Sequence, residues 1–162
     1  MFRKDAPVGL DIENRFSDPE QHKILKGKLL FGERQESIIT AKVVKYPSVD
    51  SSSEVVEAFC ENLDETQPKE DWVMILGETN PIEEVDIIDA IRIYLKLPLC
   101  KGVIRSVGGV LSHGSRLTKE MLTQDLKGYS GKFIVVGCDG AENLRDGQEV
   151  EIKIQGDTAT IS

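Results

Sequence analysis

Three short apolar runs, DWVMIL (71–76), KGVIRSV (101–107) and KFIVVGC (132–138), alternate with stretches of helical spacing. The first is a short apolar strand of the kind covered on both faces, and the other two read as further strands. Between the first two runs, Asn80 is a good N-cap, Pro81 suits the first helical position and Glu83 completes an approximate capping box. Val85, Ile88, Ile91 and Leu95 then recur at helical spacing along 81–96, until Pro98 stops the helix. A second helical stretch, RLTKEMLTQDL, ends near Gly128.

The flanks add strands of another kind. ILKGKLLFG and SIITAKVVKY are β-rich, with Gly27 and Gly32 as punctuation. EVVEAFCENL (54–63) puts Val55, Val56, Phe59, Cys60 and Leu63 on one helical face. LRDGQEVEIKIQGDTATIS alternates around turns at Asp146-Gly147 and Gln155-Gly156-Asp157, the pattern of strands with one wet face. Residues 1–23 are polar, carry Pro7, Gly9 and Pro19, and read as an arm or extension. The expectation is an arm followed by one domain over 24–162, of α/β class, with a mixed sheet and about three helices.

Composition narrows the partners. The chain has 162 residues, a formal net charge of −8, 40% hydrophobic and 30% charged residues. So acidic a domain offers no electrostatic footprint for nucleic acid or an anionic membrane. No apolar run approaches the ~20 residues needed to cross a bilayer. The opening MFRKDAPVGLDIENRF lacks the apolar stretch of a signal peptide. Cys60, Cys100 and Cys138 are odd in number without metal-like spacing, so buried free thiols and a cytoplasmic location are expected. Glu83, Glu84, Asp86 and Asp89 share no face with a histidine or cysteine and read as a solvated helix side, so no metal is assigned.

One of the chain's two histidines lies in GGVLSHGS (108–115). Gly108-Gly109 permits a sharp turn after a strand, and Ser112 is a plausible N-cap. His113 then falls in the first turn of a helix, where free amides and the helix dipole favour anions and disfavour imidazolium. A neutral histidine there can accept a phosphoryl group and hold the resulting dianion. The same placement suits a histidine that only joins capping hydrogen bonds. His22, in the polar arm, is incidental on this reading, and Trp72 and Phe133 read as core.

GVIRSVGGVLSHGSRLTKE, followed by GKFIVVGCDGAENLRDGQEVEIKIQGDTATI, resembles the mobile phosphohistidine domain of the phosphoenolpyruvate-utilising enzymes, the family of pyruvate phosphate dikinase and phosphoenolpyruvate synthase. Gly108, Gly109, Ser112, His113, Gly131, Val135, Val136, Gly137, Leu144, Asp146, Gly147 and Val150 fall on the family pattern, as do Thr79 and Pro81 upstream. The resemblance covers about residues 24–162 and is strongest from Asp71 onward. It departs from the family at Gly114-Ser115, where a small pair such as Ala-Ala is usual. Lys119 occupies an arginine position, GERQES replaces a Ser-Pro-Gly signature, and MLTQDLKGYS is longer than the usual link.

The resemblance implies a swivelling β/β/α three-layer domain with a mixed central sheet. It also implies a phosphoryl carrier phosphorylated on His113. Gly108 and Gly109 admit the phosphoryl group, Ser112 orients it, Gly114 and Ser115 border it, and Lys119 neutralises charge. No cofactor is expected on this chain; magnesium belongs to nucleotide-binding and phosphoenolpyruvate/pyruvate-type partner chains. Two alternatives remain from the sequence: a silent interaction or regulatory subunit of the same fold, and the small subunit of an aconitase-like hydro-lyase with Ser112 in a mobile loop.

Overall fold

The structure, a computed structural model, describes residues 24–33, 35–47, 51–77, 91–107, 113–124 and 126–162, with the backbone alone at 113–115, 117 and 126. The expected arm at 1–23 and most of the expected helix over 81–96 lie outside the described residues; residues 91–94 are helical.

Among the described residues seven strands form: β1 (Leu25–Phe31), β2 (Ser37–Lys45), β3 (Trp72–Leu76), β4 (Cys100–Arg105), β5 (Phe133–Val136), β6 (Glu149–Gln155) and β7 (Thr158–Ile161). With them go helix α1 (Ser53–Thr66), helix α2 (His113–Thr123) and 3-10 turns at Leu126–Tyr129 and Ala141–Asn143. The strands close into a barrel in the order β1-β5-β4-β3-β2-β6-β7. β2, β3, β4 and β5 run parallel to one another. β1 joins β5 and β7, and β6 joins β2 and β7, all antiparallel.

This closure corrects both the expected α/β class and the expected three-layer β/β/α swivelling domain, since the described residues form a closed, mostly β barrel. Separate stacked sheets would each keep edge strands. Here β1 pairs through Lys28↔Val136 on one side and Leu25↔Ile161 on the other, and β2 pairs through Val43↔Val73 and Ile39↔Ile152. No strand edge is left over in the sequence of pairings, so the single mixed sheet wraps onto itself.

Two cores follow from the alternation of side chains. Val73, Ile75, Ile104, Phe133, Val135, Ile152 and Ile161 pack in one cluster, which the wrapped sheet encloses. Trp72, Met74, Leu76, Val103, Ile134 and Val136 belong to the other, with Leu63, Ile91, Tyr94, Leu95, Leu122 and Tyr129 packed over them. The parallel wall is therefore covered on both faces, the reason its strands carry uninterrupted apolar runs. β6 has only one buried face, and its pattern alternates accordingly.

Helix α1 is capped by Ser52, whose Oγ accepts from Val55 N at 3.3 Å. It is lightly docked. Leu63 is its buried residue, while Val55 stays 52% exposed and Cys60 is exposed, unlike the buried Cys100 and Cys138. Phe59 meets the rings of Tyr46 and Tyr94 edge-on at 5.4 and 6.5 Å, and Tyr94 donates its hydroxyl to Cys60 Sγ at 2.9 Å. The Trp72 indole N–H donates to Gln67 Oε1 at 2.9 Å, tying the helix end to β3.

One side-chain tie links β2 to the turn before β6. Lys45 N donates to Asp146 Oδ1 at 2.9 Å, and Lys45 Nζ donates to Glu142 O at 2.6 Å. Asp146→Ala is expected to cost about 1–2 kcal/mol, since it strands an amide bonded to a charged acceptor. A urea midpoint equal to that of the parent protein would show that water replaces the carboxylate at no cost.

Candidate functional site

All four parallel strands end on one rim, at Lys45, Leu76, Arg105 and Val136. In open parallel sheets this carboxyl rim is where loops diverge and ligands collect. The ladders extend one step past the strands: Ser106 N donates to Leu76 O at 3.1 Å, Cys138 N to Arg105 O at 2.9 Å and Gly137 N to Val107 O at 3.2 Å. Arg105 and Ser106 are both buried, each 8% exposed, although they close an otherwise apolar strand. Val103 belongs to the helix-side cluster and Ile104 to the barrel interior, so alternation puts Arg105 on the helix-covered side.

The loop bearing the 3-10 turn at Ala141–Asn143 folds over the same rim. A Cβ built on Gly77 would stand 3.8 Å from Glu142 Cβ and 3.9 Å from Ser106 Oγ, so the ends of β3 and β4 meet this turn closely. Cys138 sits beneath it. Burial pushes its thiol up to about 11, and the neighbouring Glu142 and Asp139 carboxylates push in the same direction. The thiol stays protonated and does not act as a nucleophile near neutral pH.

His113 is the first residue of α2, and Gly114 and Ser115 follow it in the first turn. The chain thus passes from the carboxyl end of β4 into a helix that opens with the histidine. Gly108, Gly109 and Ser112 lie outside the described residues, and at His113, Gly114 and Ser115 the backbone alone is described.

Lys119 takes a different place. Six residues along an α-helix are about 9 Å of rise and put the two side chains about 120° apart. Lys119 is exposed and lines a cleft with the end of β1 and with Tyr129 to Lys132, which precede β5. This is the amino rim of the parallel strands. Arg116, in the first turns of α2, is exposed.

The chain matches no family model, no curated protein and no solved structure. Among the described residues no group of three or more His, Cys, Asp or Glu side chains is placed to hold a metal ion. No helix among them is long and apolar enough to cross a membrane.

Sequence reasoning missed Arg105. The signal was present: in KGVIRSV an arginine closes an apolar strand directly before Ser106 and the glycine pair. A cation that ends a buried strand and itself stays buried is uncommon.

Of the positions that carry the family resemblance, several serve the barrel. Val135 and Val150 are in the interior core with Leu144 against it, and Val136 is in the helix-side core. Gly131, Gly137 and Gly147 have φ of 77°, 63° and 85°.

Proposed function

We propose that the protein is a phosphoryl carrier, transiently phosphorylated on His113. The observation that carries this reading is that α2, the next described element after β4, opens on His113, and that β4 ends in buried Arg105. The reading rests on the chemistry of this rim and on the sequence resemblance, not on the fold.

A phosphoryl group on the imidazole carries two negative charges at neutral pH. The first-turn amides of α2 favour it, and the Arg105 guanidinium supplies the compensating charge from the helix-covered side. In this reading charge neutralisation falls to Arg105, and Lys119 belongs to the cleft at the other rim. Gly108, Gly109 and Ser112 keep the roles the resemblance implies. Donor and acceptor sites belong to partner chains that bind a nucleotide or phosphoenolpyruvate/pyruvate, with magnesium held there. The three free thiols fit a reducing compartment such as the cytoplasm.

Phosphoramidate, which delivers a phosphoryl group to imidazole nitrogen with loss of ammonia, tests the site without partners. The parent protein is expected to gain an acid-labile, base-stable phosphate visible by phosphorus NMR. His113→Ala should lose the fast-labelled fraction, leaving slow reaction at His22. Arg105→Met should shorten the lifetime of the phosphorylated form about tenfold, the loss of one charge-assisted contact. Equal labelling of the His113→Ala protein overturns the assignment. Labelling from phosphoramidate but from neither phosphoenolpyruvate nor ATP in the presence of genomic-neighbour proteins would instead favour a silent interaction subunit.

A further inference from the structure

A cleft of about 350 Å³ opens between the end of β1, the middle of α2 and the 3-10 turn at Leu126–Tyr129. Phe31 and Tyr129 both line it, their rings edge to face at 6.4 Å. Lys119, Ser130 and Lys132 contribute polar groups, and Glu33 is the one carboxylate among the described lining residues. Its volume lies at the small end of the range of small-molecule sites, and the mixture of aromatic surface with a few polar groups is typical of them.

The electrostatics of this region run against the rest of the chain. Residues 91–132 contain eight Lys or Arg and two Asp or Glu, in a protein with 20 basic and 28 acidic residues. Three of these cations lie on or beside the segment that carries Tyr129. Lys96 Nζ lies 5.4 Å from the ring centroid, and Lys127 belongs to the same 3-10 turn. Lys132 is held in place, donating to Leu97 O at 2.9 Å and Cys100 O at 2.6 Å. An ammonium has three N–H donors, so two fixed contacts leave a third for a ligand. Burial pulls the Lys132 ammonium below its ordinary range, and a bound anion would restore it.

We propose that this cleft binds a small organic anion, one that carries a phosphate or carboxylate on a flat apolar body. The flat part lies against Phe31, which is only partly buried and is backed by the buried Tyr129 ring, and the charged part meets Lys119 and Lys132. The proposal uses no contact with His113, so the two assignments are tested independently.

Phenyl phosphate is the probe, followed by heteronuclear NMR on the full chain. It is expected to give saturable shifts at the amides of Gly32, Ser130, Gly131 and Lys132. Lys119→Glu should weaken binding about tenfold, the effect of losing and reversing one charge contact. Lys26→Glu, an exposed change near the opposite end of β1, should leave it unchanged, and His113→Ala should bind as the parent does. Added salt should weaken binding, because both lysines keep contact with solvent. Shifts that do not saturate at millimolar probe, shifts centred on residues 105–107, or full affinity in Lys119→Glu each overturn the proposal. Equal affinity for inorganic phosphate overturns the part assigned to Phe31.

Discussion

Gly102→Ala is expected to cost about 3 kcal/mol or more, a large fraction of the stability of a domain this size. Gly102 pairs with Phe133 in the β4–β5 ladder. A Cβ at this position would stand 2.6 Å from Phe133 O, 2.6 Å from Phe133 Cε1 and 2.7 Å from Phe133 Cδ1. The ring can turn away at the cost of a rotamer. The carbonyl cannot, because it belongs to the backbone of the strand pairing that closes the parallel wall. The second variant separates these contributions: Gly102→Ala with Phe133→Leu should recover the ring part and leave the backbone part. Urea midpoints for the three proteins decide it. A single Gly102→Ala protein as stable as the parent would mean that β4 and β5 slide apart freely, and the register Gly102↔Phe133 would be wrong.

Gly27 repeats this close approach on the far side of β5, where a Cβ would meet Val135 Cγ1, with Cys138 Cβ at 3.0 Å and Val136 O at 3.1 Å. In the sequence Gly27 read as punctuation of a β-rich run, and Gly102 passed unremarked inside the strand KGVIRSV. Their part in bringing β1 and β4 against β5 depends on neighbours more than 30 residues away in the chain. Local pattern carries no trace of such pairings.

The same limit explains the corrected architecture. The strands themselves were legible. WVMIL, CKGVIR and FIVV are apolar because both faces of β3, β4 and β5 are covered, and EVEIKIQ alternates because β6 has a wet side. What joins β2 to β6 and β1 to β5, and so turns layers into a closed wall, is set by strand twist and by pairing across about a hundred residues. Cys60 was misjudged for a related reason. Helical spacing puts it on the apolar face of α1, but the helix docks chiefly through Leu63 and Phe59 and leaves the thiol at the edge.

At the candidate site the sequence singled out the stretch around His113 and, among its cations, Lys119 but not Arg105. His113 stands out because histidine is scarce and a glycine pair precedes it. Lys119 was nominated because it occupies a position six residues further on, yet the helix carries it to the other rim. Arg105 escaped notice because it looked like the polar end of a strand. Burial, which only packing reveals, is what distinguishes it.

Raising the pH toward 11 should destabilise the protein through its two buried thiols. Burial pushes Cys100 up to about 12, with the positive charges of Lys132 and Lys101 and a hydrogen bond to Gly102 working against it, and Cys138 up to about 11. Both folded values lie above the ordinary thiol value, so the folded state holds its thiol protons more tightly. That contribution is fully present below the ordinary thiol value and is lost as the pH rises through the folded values. Near pH 11 the loss is about 2 kcal/mol for each thiol. Tyr94, raised by burial and by its bond to Cys60, acts in the same direction at higher pH. Lys132 opposes: burial lowers its value, so it costs stability where it is charged and stops doing so as the pH climbs. One lysine against two thiols leaves a net loss. Urea midpoints measured between pH 8 and pH 11 should therefore fall more steeply for the parent than for the Cys100→Ala, Cys138→Ala double variant, whatever fixed amount the lost packing costs. A thiol reagent applied to the folded protein at pH 8 should modify Cys60 alone, because Cys100 and Cys138 are buried and protonated. Parallel pH profiles for the two proteins, or rapid modification of all three thiols, would show that Cys100 and Cys138 are open to water and that the packing of β4 and β5 against their neighbours is looser than described.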